Sequence, residues 1–234
     1  MGSTEIRRVD FGYFVRPAVE TGTGHARVEP CLGYVTALRQ GWLLFDTGIG
    51  MADDETEEHY RPHREPLPLA LARAGITEAD VRMVVNCHLH FDHCGGNPML
   101  QKRPVFVQAD ELDSARSVPD YTVASLVDRP DATYEELQGE AEIAPGVWVI
   151  PTPGHTRGHQ SVVIRAGDGT TVVLAGQSHD TSSAFAADEL ARRARVEAGS
   201  ALTLPTYPAW IDRLSQFDPA RVYFAHDQSV WEPL

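Results

Sequence analysis

Three histidines and an aspartate stand within six positions of the segment NCHLHFDHCGG, residues 86–96, in a chain with 10 histidines among its 234 residues. Neutral imidazoles and carboxylates are ligands for borderline divalent metals, above all zinc. Four donors in six residues are more than one ion uses comfortably. The spacing therefore predicts two neighbouring sites, with His88 and His90 in one and Asp92 and His93 in the other. The alternative, a solvated loop with chance histidines, fits poorly with a segment that follows an apolar strand.

The residues before the cluster indicate how these side chains are positioned. The stretch RMVVNC, residues 82–87, is typical of a strand, so the chain should reach His88 in an extended conformation. Alternate residues of a strand share a face, which would point His88 and His90 the same way. Glycines at 95–96 allow a tight turn that would fold the next two donors back toward the first pair.

Single histidines elsewhere can complete such sites. VIPTPGHTRGHQS places His155 in a Pro- and Gly-shaped turn just past a strand, and VYFAHD places His226 at the end of another strand. A lone histidine after a strand is more often structural than a ligand, but the first cluster leaves ligand positions vacant. His159, in the same turn as His155, is interpreted as a residue that stabilises the loop.

The pattern of apolar runs predicts many short strands and few helices. Helical spacing marks 66–75, 186–199 and, after a Pro-rich approach, 204–217, whereas the polar stretch 51–66 and part of 113–141 are predicted as surface loops. Strands are predicted at 42–45, 83–85, 105–107, 147–150, 161–164, 171–174 and 221–224. Hairpins mixed with helical returns favour sheets with helices outside them over a doubly wound parallel sheet.

Composition limits the function classes. The net charge of -13 argues against nucleic acid and anionic membranes as partners, and it favours a small neutral substrate. No 20-residue apolar span or signal segment is present. Cys31, Cys87 and Cys94 show no metal-type spacing and cannot all pair, which predicts reduced thiols in a cytoplasmic protein. A single domain over 1–234 is expected.

The order of these segments resembles the metallo-β-lactamase superfamily. HLHFDH matches its His-x-His-x-Asp-His motif, FDTG at 45–48 matches its strand-end aspartate, and TPGHTRGHQS and FAHD match its later histidine segments. The resemblance extends from about Gly33 to Asp227. GHTRGHQS, GGNP and VQADELDSAR look most similar to the acyl-homoserine-lactonase branch.

That resemblance implies an α/β fold, a four-layer αβ/βα sandwich of two mixed sheets with outer helices. It implies two zinc ions, with iron or manganese as alternatives, and it allows a homodimer. Asp46 would accept a ring N–H from a liganding histidine; alternatively it only shapes a turn. The implied ligands are His88, His90 and His155 for one ion, and Asp92, His93 and His226 for the other.

The pattern departs from the family in the segment GQSHD. The family usually has a metal-bridging aspartate where this chain has Gln177, and the lactonase branch commonly has a tyrosine where this chain has Asp180. An amide oxygen carries no charge, so the second ion should be weakened. Gln177 could bind weakly, Asp180 or His179 could substitute as a ligand, or one ion could bind alone. A solvated loop is the competing interpretation of His179 and Asp180.

The leading hypothesis is a zinc-dependent hydrolase of a lactone or another acyl ester. Zinc lowers the pKa of its bound water to about 7, so a metal-bound hydroxide could attack the substrate at neutral pH. Asp92 or Asp180 would protonate the leaving group, and Tyr60, Tyr121 or Trp210 would shape an acyl pocket. Alternatives are a thioesterase on the same scaffold, a single-iron thiol oxidase, and a one-metal or non-catalytic protein, which the Gln177 change keeps open.

Overall fold

The structure is a computed structural model, and it describes residues 5–198 and 203–233. Its strands are β1 Ile6–Arg16, β2 Arg27–Ala37, β3 Trp42–Phe45, β4 His63–Arg64, β5 Val81–Val85, β6 Pro104–Gln108, β7 Thr133–Leu137, β8 Ala141–Ala144, β9 Val147–Pro151, β10 Gln160–Arg165, β11 Thr171–Leu174 and β12 Pro219–Tyr223. Its α-helices are α1 Ala18–Thr21, α2 Asp54–Tyr60, α3 Leu67–Arg73, α4 Phe91–Cys94, α5 Ala109–Ser117, α6 Ala124–Val127, α7 Ser182–Ala198 and α8 Trp210–Ser215.

Within the described ranges the strands form two mixed sheets. One has seven strands in the order β4-β1-β2-β3-β5-β6-β7, and the other has five in the order β12-β11-β10-β9-β8. Strands β3, β5, β6 and β7 run parallel to one another, as do β11 and β12. Because parallel neighbours end at the same edge, the loops after β3 and β5 meet, as do those after β11 and β12.

A core of apolar side chains lies between the two sheets. The short runs WLLF and TVVL are buried because each strand faces the other sheet on one side and helices on the other, so both faces need apolar side chains. Fully burying one such side chain stabilises the fold by about 1.5–3 kcal/mol. This core contains Leu32, Tyr34, Leu43, Phe45, Val85, Val149, Val162, Ile164 and Leu174.

Helices cover both outer faces. On the seven-stranded sheet, α3 and α6 contribute Leu71 and Leu126 to a second apolar cluster. On the five-stranded sheet, Phe185 of α7 and Ile211 of α8 pack on Val163 and its neighbours. The layers therefore run helix, sheet, sheet, helix, which confirms the predicted four-layer sandwich. Among the residues described, no helix has the length and apolarity needed to cross a membrane.

Two long strands at the start of the chain escaped prediction. In β1, Val9 and Phe11 are buried alternately, but a bulge between Asp10 and Tyr13 shifts the register and breaks the period of two. Gly12 makes the bulge, with φ of 103°, and a Cβ there would lie 1.9 Å from the carbonyl oxygen of His63. A pattern search for strict alternation misses such a strand.

The prediction that 51–66 is a loop is wrong in part, because α2 lies within it. Asp53 caps this helix by accepting a hydrogen bond from the Thr56 backbone N–H at 2.8 Å. None of the helix residues is buried, so no apolar periodicity marks the helix. The three predicted helices lie close to α3, α7 and α8, although α8 begins only at Trp210 and Gly199 lies outside the described residues. The short helices α1, α4, α5 and α6 were not predicted, and α5, α6 and β7 occupy much of the stretch 113–141 that was expected in part as a surface loop.

Candidate metal centre

Three imidazoles converge at the edge where β5 meets the five-stranded sheet. His88 Nε2 lies 3.0 Å from His90 Nδ1, and His155 Nε2 lies 3.2 Å from the same His90 atom. His88 is fully buried and His155 lies at the exposed mouth of the site. We call these three residues the first triad. The structure thus brings together the three residues that the resemblance assigned to one ion.

In the first triad, ring nitrogens that could each offer a lone pair to a metal ion face one another. Burial lowers the pKa of His88 well below its usual value and that of His90 to about 4, so both rings are neutral at pH 7. His90 Nδ1 faces two other ring nitrogens, and protons alone cannot satisfy all three. Such an arrangement fits a cation shared by the three atoms.

A second set of three donors lies beside the first. His93 Nε2 lies 3.1 Å from His226 Nε2, and Asp92 Oδ2 lies 3.4 Å from each of these nitrogens. All three residues are buried. This group, which we call the second triad, joins the loop after β5 to the loop after β12, and so it spans the two sheets.

The spacing of both triads fits zinc. Metal–ligand bonds of about 2.0–2.1 Å in a tetrahedral arrangement put ligand atoms about 3.4 Å apart. The distances of 3.0–3.4 Å within the triads are close to that value. Nitrogen and carboxylate donors in sets of three, with room for a further ligand, are the chemistry of a catalytic rather than a structural zinc site.

The outer ring nitrogens of the ligands also have partners. His93 Nδ1 lies 3.0 Å from Asp46 Oδ2, and His226 Nδ1 donates to the carbonyl oxygen of Pro30 at 2.8 Å. His88 Nδ1 lies 3.1 Å from the Sγ of the buried Cys87. The Asp46 carboxylate and the Pro30 carbonyl can only accept, so they hold a proton on the outer nitrogens of His93 and His226 and direct the inner nitrogens toward an ion. Although burial opposes it, the acidic groups around His93 raise the pKa of this ring, so binding an ion there displaces a proton.

Asp46 is positioned by the backbone. It follows β3 in a left-handed conformation, with φ of 60°, and its Oδ1 accepts the Cys87 N–H at 2.8 Å. Its carboxylate therefore connects the end of β3 to the segment that carries His88, His90, Asp92 and His93. This arrangement supports the interpretation of Asp46 as a partner of a liganding histidine.

We expect Asp46→Asn to weaken zinc binding at the second triad by about 10- to 100-fold, the range typical of such outer partners. Asn tolerates the left-handed conformation, so the turn survives while the charge facing His93 is lost. Asp218→Asn is the matched control, since Asp218 is an exposed aspartate with φ of 50°. Competition with a chromophoric chelator measures both variants, and equal affinities in the two would contradict the role of Asp46.

The local geometry of the cluster differs from the prediction. Strand β5 ends at Val85, so His88 and His90 lie in a loop and not on one face of a strand. Asp92 and His93 lie on α4, a single helical turn. Gly95 has an ordinary φ, and its role is close approach: a Cβ there would lie 1.9 Å from the backbone nitrogen of Gly50.

Gln177 lies at the site and is almost fully buried. Its backbone N–H donates to His159 Nε2 at 3.1 Å, and His159 Nδ1 lies 2.8 Å from Thr152 Oγ1. His159 is therefore a structural residue that holds the Gln177 turn. Among the described residues, Gln177 Nε2 has no hydrogen-bond partner. Its side chain lines the same cavity as His90 and Asp92.

His179 and Asp180 are directed to other partners. His179 Nε2 lies 3.1 Å from Asp188 Oδ2, and its ring packs on Phe185. Asp180 forms an ion pair with Arg27 at 2.8 Å, and its side chain is 48% exposed. Neither residue belongs to the groups of potential ligands that the described residues form.

A cavity of about 670 Å³ opens over the triads. Tyr60 and Tyr121 lie in its wall, as the sequence suggested for acyl contacts, whereas Trp210 packs in the outer core and donates its Nε1–H to the Pro153 carbonyl oxygen. Acidic side chains outnumber basic ones in the lining. The acidic residues are Glu20, Asp53, Glu55, Asp92 and Asp120, and the basic residue is Arg16.

Two buried carboxylates near the site were missed by sequence reasoning. Glu111 of α5 lies beneath the first triad, and Glu29 of β2 binds the cavity residue Arg16 through two hydrogen bonds of 2.7 and 3.0 Å. Both occur in polar-looking stretches, where a single carboxylate gives no sign of being buried. Glu111 does lie at the third position of a helix, which is a common place for an acidic residue.

The sequence is similar to those of known lactonases. An N-acyl homoserine lactonase from a Bacillus species is 35% identical over 168 residues, which is 67% of this chain and 66% of that protein. The N-acyl homoserine lactonase of Bacillus thuringiensis is 34% identical with the same coverage. The chain therefore matches about two thirds of the length of these relatives, and the predicted resemblance to the lactonase branch is confirmed.

Solved structures share the fold. An N-acyl homoserine lactone hydrolase, with N-hexanoyl-L-homoserine bound at its catalytic metal centre, has a TM-score of 0.73 at 23% identity over 97% of this chain and 95% of its own. A dizinc quorum-quenching lactonase has a TM-score of 0.66 at 15% identity, over 97% of this chain and 89% of its own. The family model for the metallo-beta-lactamase superfamily matches residues 27–226. A match that runs from the first residue of β2 to the last histidine of the second triad leaves one assignment: this chain belongs to the metallo-β-lactamase superfamily.

Proposed function

We propose that the chain is a metal-dependent hydrolase that opens a lactone or a related acyl ester. The observation that carries this proposal is the convergence of two donor triads, 3.0–3.4 Å between neighbouring atoms, on one side of a cavity large enough for an acylated ring. The lactonase relatives support the substrate class.

Zinc is the proposed metal, with His88, His90 and His155 holding one ion and Asp92, His93 and His226 the other. When bound, such ions make a water molecule acidic and polarise a carbonyl oxygen. The neutral amide of Gln177 supplies no negative charge to the cavity over the triads. We therefore propose that one ion binds tightly and the other weakly.

The protein's own residues prepare the site for this chemistry. Two imidazoles of the first triad, His88 and His90, are neutral at pH 7 because burial lowers the pKa of both, so each keeps a lone pair for an ion. Asp92 belongs to the second triad and lines the cavity, whereas Asp180 is engaged with Arg27 at 2.8 Å and lies outside the donor groups. We therefore favour Asp92 over Asp180 as the group that handles the leaving-group proton.

The cavity favours a neutral substrate. Carboxylates surround it, and Arg16 is neutralised by Glu29, so an anionic substrate would meet repulsion. A lactone is neutral, and its hydrolysis product carries a carboxylate that the acidic wall disfavours. Phe14 and Phe91 offer apolar surface beside Tyr60, with ring centroids 5.8 and 5.7 Å from that of Tyr60.

The test is a panel of an N-acyl homoserine lactone, a thioester and a β-lactam, assayed with the zinc-loaded protein and after chelation. We expect hydrolysis of the lactone, at least tenfold faster than of the other two, and loss of this activity after chelation with recovery on adding zinc. Hydrolysis of the thioester alone would replace the proposal by a thioesterase. Activity that survives complete metal removal would contradict it.

Location and assembly stay predictions. The three cysteines are free and buried, which fits the expected cytoplasmic compartment, where thiols remain reduced. A homodimer remains the expectation from the family resemblance. Light scattering of the purified chain would measure its assembly directly.

A further inference from the structure

A buried carboxylate outside both triads contacts the two segments that carry the first triad. Glu111 is 1% exposed and lies in the first turn of α5. Its Oε1 accepts the backbone N–H of Leu89 at 2.8 Å, and its Oε2 accepts the hydroxyl of Thr156 at 2.7 Å. Leu89 stands between His88 and His90, and Thr156 directly follows His155.

A third contact connects the same carboxylate to the cavity. The Tyr121 hydroxyl donates to Glu111 Oε1, and the Tyr121 ring lies 4.7 Å from that of His90 between centroids. Burial and the Glu111 carboxylate raise the pKa of Tyr121, so its hydroxyl stays protonated as a donor. Glu111 thus receives three hydrogen bonds, which satisfy a buried charge.

The backbone packing at this point leaves no space. A Cβ at Gly158 would lie 2.3 Å from the Glu111 backbone nitrogen, so the turn that carries His155 rests directly on α5. The helix and the turn can approach this closely only because residue 158 has no side chain. The carboxylate is therefore fixed relative to both segments.

We propose that Glu111 is a positioning residue for the first triad, holding the loop of His88 and His90 and the turn of His155 at the separation at which their imidazoles share one ion. Glu111 would position the first triad as Asp46 positions the second. The difference is that Glu111 accepts hydrogen bonds from backbone and hydroxyl donors, whereas Asp46 contacts an imidazole. The inference rests on the proposed binding of a divalent ion and is independent of the substrate.

The test measures zinc affinity by competition with a chromophoric chelator. His226→Ala serves as the parent, because it disables the second triad and leaves the first to be titrated alone. In this parent, Glu111→Gln replaces two acceptor oxygens by one and removes the charge. We expect zinc affinity to fall by about 10- to 100-fold, as for other outer-shell partners. Co²⁺ in place of zinc should show a shifted visible absorption, because the ligand geometry changes.

Asp110→Asn is the matched control. Asp110 is the preceding residue of the same helix and also holds the His155 turn, through ion-pair contacts of 3.0 and 3.2 Å to Arg157, but at the exposed surface. We expect it to change zinc affinity by less than about twofold, as typical of surface ion pairs. An equal loss of zinc affinity in Glu111→Gln and Asp110→Asn would overturn the proposal, because an exposed contact to the His155 turn would then matter as much as the buried carboxylate.

A second variant keeps the test valid if Glu111→Gln does not fold. Thr156→Val removes one hydroxyl donor at constant volume, and we expect a loss of several-fold in zinc affinity with a normal thermal unfolding curve for the metal-free protein. Affinity within about twofold of the parent in Glu111→Gln, or in Thr156→Val if Glu111→Gln does not fold, would overturn the inference alone. A parent that binds no zinc would overturn both this inference and the proposed function.

Discussion

Replacing His88 with alanine should remove most of the metal that the first triad holds. His88 Nε2 is 3.0 Å from His90 Nδ1, and the ring is fully buried, so no other side chain can take its place. The loss should exceed the roughly 10- to 100-fold effect of an outer partner. Lactone hydrolysis should fall by more than the roughly 10²- to 10³-fold cost of removing one oxyanion donor.

The measurement is metal content after equilibration at a fixed free zinc concentration. His155→Ala is the partner variant, because His155 is exposed and its loss leaves no internal cavity. His25→Ala, at an exposed position far along the sequence from the cluster, is the control and should keep full metal content. Unchanged zinc in both His88→Ala and His155→Ala would refute the assignment of the first triad.

The second large effect is expected from restoring a charge at Gln177. Gln177→Asp should raise affinity for the second ion by about tenfold or more, which corresponds to about 1.4 kcal/mol. Gln177 is 3% exposed, and among the described residues its Nε2 has no hydrogen-bond partner. A carboxylate there would add the negative charge that two divalent ions require.

The matched control is Gln177→Asn, which has the length of aspartate without its charge. Gln177→Asp should also lower the unfolding temperature of the metal-free protein, because it adds a buried carboxylate to a cavity that Asp92 and other acidic side chains already line. With zinc bound, the same variant should be the more stable one. If Gln177→Asp and Gln177→Asn bind the second ion equally, charge at this position does not limit it.

Much of the site could be predicted because its chemistry is local in sequence. Four of the six donors stand within residues 88–93, and that density has few structural explanations. His155 and His226 are candidates because each follows an apolar strand, and the family resemblance assigns them as ligands; the parallel pairing of β11 with β12 brings the end of β12 to the same edge. Patterns of this kind survive even when the local backbone is misjudged, as it was for the loop after β5.

The rest depends on contacts that sequence does not encode in one place. The helix α2 has no buried face, so only its cap, Asp53, marks it. The bulge at Gly12 hides a long strand by shifting its register. Glu111 has no neighbours in sequence that suggest burial, and its partners Leu89 and Thr156 lie 22 and 45 positions away.

The segment GQSHD, where the chain departs from the family pattern, also makes contacts that its sequence does not reveal. Sequence reasoning allowed His179 or Asp180 to substitute as a ligand, and the structure places His179 on Asp188 and Asp180 on Arg27. Both partners are charged groups that no short-range pattern connects to this segment. Gln177 is therefore the residue of the segment that faces the cavity.

The central claim is that segments from the two sheets meet to hold a divalent ion between His88, His90 and His155. Anomalous diffraction at the zinc edge from crystals of the zinc-loaded protein tests it most directly. We expect a peak about 2.0–2.1 Å from His88 Nε2, His90 Nδ1 and His155 Nε2. An occupied zinc peak at other residues, with none between these three imidazoles, would contradict the account.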